Sequence, residues 1–175
     1  MGENTTRIIA VANEKGGVGK TVSVINLGAA FSLMGQSVLV VDMDPQANAT
    51  KGLGIETDKD RLNSYDLIIR PAEALAEDAV METPWKGLHV IPSHVDLSGA
   101  EVELVDEDGR ENRLTEALAP IEAGYDVILL DTPPSLSLLT VNVFTCAQEV
   151  IVPCQTHPYA FGALEELFDT IEAVK

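Results

Sequence analysis

Five short runs of almost unbroken apolar residues recur along the chain, at Arg7–Asn13, Ser37–Asp42, Leu88–Pro92, Tyr125–Asp131 and Glu149–Pro153. Continuous rather than alternating hydrophobicity marks strands buried on both faces, so these runs predict a mostly parallel sheet. Between them the spacing changes to helical. A helix is predicted to start at Lys20, to bury Val22, Ile25, Ala29 and Leu33 along one stripe, and to stop at Gly35. Another is predicted from Ala160 to Val174, with Phe161, Leu164, Phe168 and Ile171 at helical intervals. Leu97–Leu104 and Glu111–Ala119 also read as helical, whereas Glu56–Lys86 stays unassigned because Arg70-Pro71 breaks it and acidic residues interrupt its apolar positions. Strands alternating with helices imply an α/β domain whose sheet is covered on both faces.

Polar chemistry clusters just past the ends of the predicted strands. After the first comes Lys15-Gly16-Gly17-Val18-Gly19-Lys20-Thr21, immediately before the first helix. Glycines there allow a tight turn in which successive backbone N–H groups face one concavity, at a helix start that favours anions. This is the chemistry of a phosphate loop, with Lys20 meeting the β- and γ-phosphates and the Thr21 hydroxyl on Mg2+. The usual pattern has a glycine where Asn13 stands, so this is a variant, and it carries a second lysine, Lys15. In an open parallel sheet, ligands gather beyond the carboxyl ends of strands. Asp42 and Asp44 follow the second run and Asp131 ends the fourth, which places three carboxylates and the glycine loop at one predicted site.

Three blocks together, the loop, Asp42-Met43-Asp44-Pro45-Gln46-Ala47-Asn48-Ala49-Thr50 and Asp131-Thr132-Pro133-Pro134-Ser135, resemble the ParA/Soj family of deviant Walker ATPases, which also includes MinD-like proteins. The resemblance runs from about Arg7 to the end and is weak between Glu56 and Lys86. It implies one P-loop NTPase domain over residues 1–175 and Mg2+-dependent ATP hydrolysis, slow without a partner. It further implies that Gly16, Gly17, Val18, Gly19, Lys20, Thr21 and Val22 hold the phosphates, with Asp131 and Asp42 supporting the metal and Asp44 orienting the attacking water. Lys15 is similar to the family's lysine that reaches across an ATP-dependent homodimer to the partner's phosphates, the part an arginine finger plays elsewhere. The function so implied is a dimerisation switch in chromosome or plasmid partitioning, stimulated by a DNA-bound ParB-like protein. The alternative is a MinD-like or orphan ATPase that positions another cellular machine or acts as a nucleotide-dependent regulator.

Two departures bear on that resemblance. Val22 stands where relatives usually carry a second Thr or Ser, so one hydroxyl contact to phosphate is lost, worth about 1 kcal/mol. Relatives also continue past the position of Lys175, into a region that supplies later strands, much of the adenine pocket and the basic residues that touch DNA. Non-specific DNA binding is therefore expected of a full-length protein and not of this chain.

Composition narrows the partners. With 28 Asp and Glu against 11 Lys and Arg the formal net charge is −17, which repels nucleic acid and anionic lipid unless cations cluster locally. Such a surface suits a salt-rich cytoplasm, where repulsion is screened. Lys51, Lys59, Arg61 and Arg70 are the residues from which a basic patch could assemble. No apolar run reaches membrane-span length and the start lacks a secretory core, so a cytoplasmic protein without membrane attachment is expected, nucleoid-associated in a partitioning role. Met1-Gly2-Glu3-Asn4-Thr5-Thr6 fits a myristoylation pattern only formally. Cys146 and Cys154 lack the spacing of a zinc, redox or iron–sulfur motif and are expected to be packed thiols, and His89, His94 and His157 lack metal-ligand spacing.

Overall fold

The computed structural model describes residues 5–58, 60–71, 75–156 and 160–174, the side chains of 160–163 excepted. Six strands form one sheet: β1 (Arg7–Val11), β2 (Val38–Asp42), β3 (Met81–Glu82), β4 (Leu88–Ile91), β5 (Val127–Asp131) and β6 (Glu149–Ile151), in the order β3-β4-β2-β5-β1-β6. Every pairing is parallel except that of β3 with β4. The five predicted strands are all present, each trimmed by a residue or two where the chain leaves the ladder. Asn13, for example, lies beyond β1 and spends its side chain on the Pro153 carbonyl and the Lys15 amide.

Eight helices cover the sheet: α1 (Lys20–Leu33), α2 (Asn48–Gly52), α3 (Ser64–Ile69), α4 (Ala76–Ala79), α5 (Ala100–Glu103), α6 (Arg113–Leu118), α7 (Leu138–Cys146) and α8 (Ala160–Val174), counted among the described residues. The pleat sorts them into two layers. Ile9, Val11, Val40 and Leu129 face α1 and α2, where Val24, Ala49 and Leu53 are buried. Ile8, Ala10, Val41 and Leu130 face the opposite layer, where Leu67, Leu114, Phe144 and Leu167 pack. The strand interiors are thus apolar on both faces, as the unbroken runs require.

The buried stripe of α1 differs from the predicted one. Val24 and Gly28 face the sheet, while Val22 and Leu33 are exposed at 63% and 83%. Apolar residues surround most of this helix, so its periodicity is nearly flat, and the position that decides its orientation is a glycine that no hydrophobicity pattern marks. A Cβ at Gly28 would lie 3.1 Å from Leu88 Cδ1 and 3.4 Å from Val40 Cγ2, so α1 rests with its backbone against the sheet. In α8 the predicted stripe holds at Leu164 and Ile171, both half-buried, but Leu167 is the buried residue and Phe168 is exposed. The side chain of Phe161 lies outside the described residues.

The unassigned stretch holds α3, α4 and β3. Asn63 caps α3 through the Tyr65 amide, and the Asp66 carboxylate accepts from the Asn63 amide, a reciprocal box that satisfies two orphan donors. The helix ends at Ile69, before Arg70-Pro71.

Candidate functional site

Parallel pairing aligns the ends of three strands. Val11 and Asp42 both register with Asp131, so the chain leaves β1, β2 and β5 at one level. From β1 it enters the glycine loop, where Gly17 and Gly19 adopt φ of 75° and 96°. Those angles admit glycine and strain other residues, which is why the loop is spelled with it. No atom lies within 4 Å of a Cβ built on Gly16, Gly17 or Gly19, so the concavity is open above the backbone. It forms a cleft of about 500 Å3 floored by the loop, Lys20 and Thr21, with Asp44 and Pro134 on its walls.

The predicted residues converge here. The Thr21 hydroxyl donates to Asp131 Oδ2 at 2.8 Å, joining the start of α1 to the end of β5. Asp131 Oδ1 is buried with no hydrogen-bond partner. Burial, together with the charge of Asp42, pushes the Asp131 carboxyl up to about 7. Lys20 is 7% exposed and donates to the Lys15 carbonyl at 3.3 Å. Burial lowers its pKa, against the opposing pull of Asp131 and Asp44. A lysine so desolvated gains from an incoming phosphate anion. Lys15 itself is exposed, and the Val22 side chain, also exposed, borders the cleft.

Asp42 and Asp44 separate in role. Asp44 lines the cleft, its Oδ1 accepting from the Gln46 amide at 2.9 Å. Asp42, expected to support the metal shell, is fully buried. Its Oδ2 accepts from the Thr50 amide at 2.8 Å and the Thr50 hydroxyl at 2.7 Å, and its Oδ1 accepts from the Asp44 amide at 3.1 Å. Burial lifts Asp42 to about 6 against those stabilising bonds. Among the described residues, no three of His, Cys, Asp and Glu converge as a protein-only metal cage requires. The donor set that is present, one hydroxyl and one unpartnered carboxylate oxygen beside an open phosphate cradle, fits a cation that completes its shell with water and phosphate oxygens, the habit of Mg2+.

Sequence reasoning missed Thr50 and understated Asn13, which ties the phosphate loop to the chain after β6. Thr50 ends a quoted block and Asn13 stands just before one, but nothing in their spacing reveals what the side chains touch. A second cleft of about 500 Å3 sits at the other end of the sheet, beside Ser37, His89 and Tyr125. Its charged walls are Glu77 and Glu82, which repel phosphate. His89 is half-buried against the Tyr125 hydroxyl, His94 accepts from the Asp96 amide, and His157 lies outside the described residues, as does Lys59 of the proposed basic patch. Cys146 is buried and its thiol pushed up to about 11, whereas Cys154 is exposed rather than packed. No helix among the described residues is long and apolar enough to cross a membrane.

A family profile described as an AAA domain matches residues 6–175. The sporulation initiation inhibitor protein Soj of Bacillus subtilis is 44% identical over 169 residues, covering 97% of this chain and 66% of that protein. The chromosome partitioning protein ParA of Caulobacter vibrioides is 46% identical over 177 residues, covering all of this chain and again 66% of the relative. The chain therefore spans just under two thirds of the relatives it matches. Among solved structures, cobyrinic acid a,c-diamide synthase from Mycobacterium smegmatis, with bound ATP analog and magnesium, superposes with a TM-score of 0.90 at 39% identity, over 97% of this chain and 68% of its own. These three names differ in biological role, so the likeness by itself does not fix one end use.

Proposed function

The chain belongs to the ParA/Soj family of AAA-domain proteins, and from that premise we propose that it binds ATP with Mg2+, hydrolyses it to ADP and phosphate, and uses the nucleotide as a dimerisation switch in chromosome or plasmid partitioning. One observation carries the reading: the Thr21–Asp131 bond, with its unpartnered Asp131 oxygen, lies beside the buried Lys20 at the head of an open glycine cradle.

In this reading the amides of Gly16–Val22 cradle the phosphate oxygens and Lys20 neutralises charge on the β- and γ-phosphates. Thr21 and Asp131 are the residues that would hold Mg2+, which when bound supplies further neutralisation of that charge. Asp44, walled into the cleft and steadied by the Gln46 amide, orients the attacking water. Exposed Lys15 reaches a second copy's nucleotide, so turnover requires the dimer. Asp42 supports the metal shell only from behind, by fixing the segment that carries Asp44.

A DNA-bound ParB-like protein is the proposed stimulating partner, and DNA contact by this chain alone is not expected. Among the described residues of the candidate patch, Arg70 pairs with Asp66, while Lys51 donates to the Gln46 carbonyl. The decisive experiment is Asp44→Ala, with phosphate release and dimer fraction measured on one sample in ATP and Mg2+. The expected result is a nucleotide-loaded dimer that no longer releases phosphate. A variant that still cycles defeats the assignment.

A further inference from the structure

Asp44 lies just past the end of β2, held by the Met43 amide on the Asp131 carbonyl and by the buried carboxylate two residues earlier. Asp42 is 0% exposed and Thr50 1%, and Thr50 grips the Asp42 Oδ2 twice, through its amide at 2.8 Å and its hydroxyl at 2.7 Å. The other oxygen of the same carboxylate accepts from the Asp44 amide at 3.1 Å. Residues 42–50 thereby close into a ring whose two ends meet at Asp42 and which presents Asp44, beside that junction, to the cleft. Within the ring Ala47 is held at φ 53°, a left-handed conformation unusual for a residue with a Cβ. Such a conformation persists only where surrounding bonds enforce it.

The Thr50 hydroxyl has one proton, and it points to Asp42. Its lone pair is consequently free to accept, and it accepts from the Ser93 amide at 3.1 Å, just past the end of β4. One side chain thus fastens the ring to two strands at once, β2 through Asp42 and β4 through Ser93. Among the described residues no other hydroxyl is bonded to Asp42, and the buried Ser93 hydroxyl has no partner of its own.

We propose that Thr50 is a positioning residue for the hydrolytic step: its hydroxyl sets the Asp42 carboxylate, which sets the Asp44 backbone, which aims the Asp44 side chain at the water. This rests on the reading of Asp44 given above. The role is distinct from nucleotide binding, because Thr50 does not line the cleft. It predicts a loss in turnover with affinity preserved.

The test compares Thr50→Ser, Thr50→Val and Asp44→Ala with the unaltered full chain, measuring kcat and KM for phosphate release and the affinity for a fluorescent ATP analogue. Valine keeps the shape and removes the hydroxyl, while serine keeps the hydroxyl and removes a methyl. The expected result is a fall in kcat of about tenfold or more for Thr50→Val, with KM and analogue affinity within about threefold, and kcat restored to within about threefold by Thr50→Ser. Wild-type turnover by Thr50→Val, or equal loss in the serine and valine variants, overturns the proposal. Should the valine variant not fold, Thr50→Cys replaces it, since a thiol of similar size is a weak donor; about fivefold lower kcat is then expected and unchanged kcat overturns the proposal. Full activity in Asp44→Ala is a separate failure, that of the hydrolytic assignment itself.

Discussion

Replacing Asp131 by Asn should flatten the pH dependence of stability in the nucleotide-free protein. Asp131 is fully buried with a folded pKa of about 7, and Asp42 with one of about 6. Both exceed the value of about 3.9 for an unfolded chain, so between these values the native state binds more protons than the unfolded one. The stability that protonation confers is fully present below about pH 4 and drains away as the pH rises through the folded pKa values. Between about pH 5 and pH 8 the linkage relation gives a loss on the order of 2–3 kcal/mol for Asp131 and about half that for Asp42. The asparagine oxygen can still accept from Thr21, but its NH2 then occupies the site of the unpartnered oxygen, a buried donor without an acceptor that costs about 1–3 kcal/mol. The variant should accordingly be the less stable protein at acid pH and draw level with, or overtake, the wild type in mild alkali. Urea unfolding followed by circular dichroism, with chelator present, at a series of pH values gives both curves. Because the remaining carboxylates are common to the two proteins, their contribution cancels in the difference. Parallel curves would refute the reasoning, since they would mean that Asp131 ionises freely in the folded state.

Three further outcomes are expected. Lys20→Ala should abolish ATP binding in an equilibrium titration while changing stability by only about 1 kcal/mol, since removing a desolvated lysine offsets its lost attraction to Asp44 and Asp131. Lys15→Ala should bind ATP within about threefold of wild type yet stay monomeric by light scattering and release no phosphate, because the side chain is exposed and outside the wall of the cleft. With 28 acidic residues and few ion pairs to offset them among the described residues, the melting temperature should climb by about 5 °C or more between dilute buffer and molar KCl; equal melting in both would remove the case for a salt-adapted surface.

The strands were readable because a strand buried on both faces leaves no choice of residue, as Val38–Val41 illustrates: all four are fully buried. The phosphate loop was readable for a different reason, namely that only glycine tolerates the backbone at Gly17 and Gly19. What resisted reading was decided by contacts between segments distant in sequence. Two residues cannot display a period, so the antiparallel β3 left no trace. The face of α1 was chosen by Leu88, Val40 and Leu129 against Gly28, none of which is local to the helix. The resemblance implied support of the metal by Asp42, but that Thr50 grips its carboxylate depends on an eight-residue excursion that includes Ala47 and α2. The capping box of Asn63 and Asp66 marks the start of α3, and the Arg70-Pro71 break follows its end.

The close seat of α1 at Gly28 has a consequence for how mutations there would be interpreted. Thr21 lies seven residues toward the N-terminus, about 10 Å along the same rigid axis. The helix therefore works as a gauge block: the thickness of the contact at Gly28 fixes the height at which Thr21 meets Asp131. Adding a methyl at position 28, 3.1 Å from Leu88 Cδ1, would lift or tilt the block, and the error would emerge two turns away as a stretched Thr21–Asp131 bond. In a genetic screen such a change would group with lesions of the nucleotide site, although residue 28 touches no ligand atom. Residues facing it across the sheet, Leu88 above all, would then be the natural places to find second-site suppressors, by trimming what the added methyl strikes.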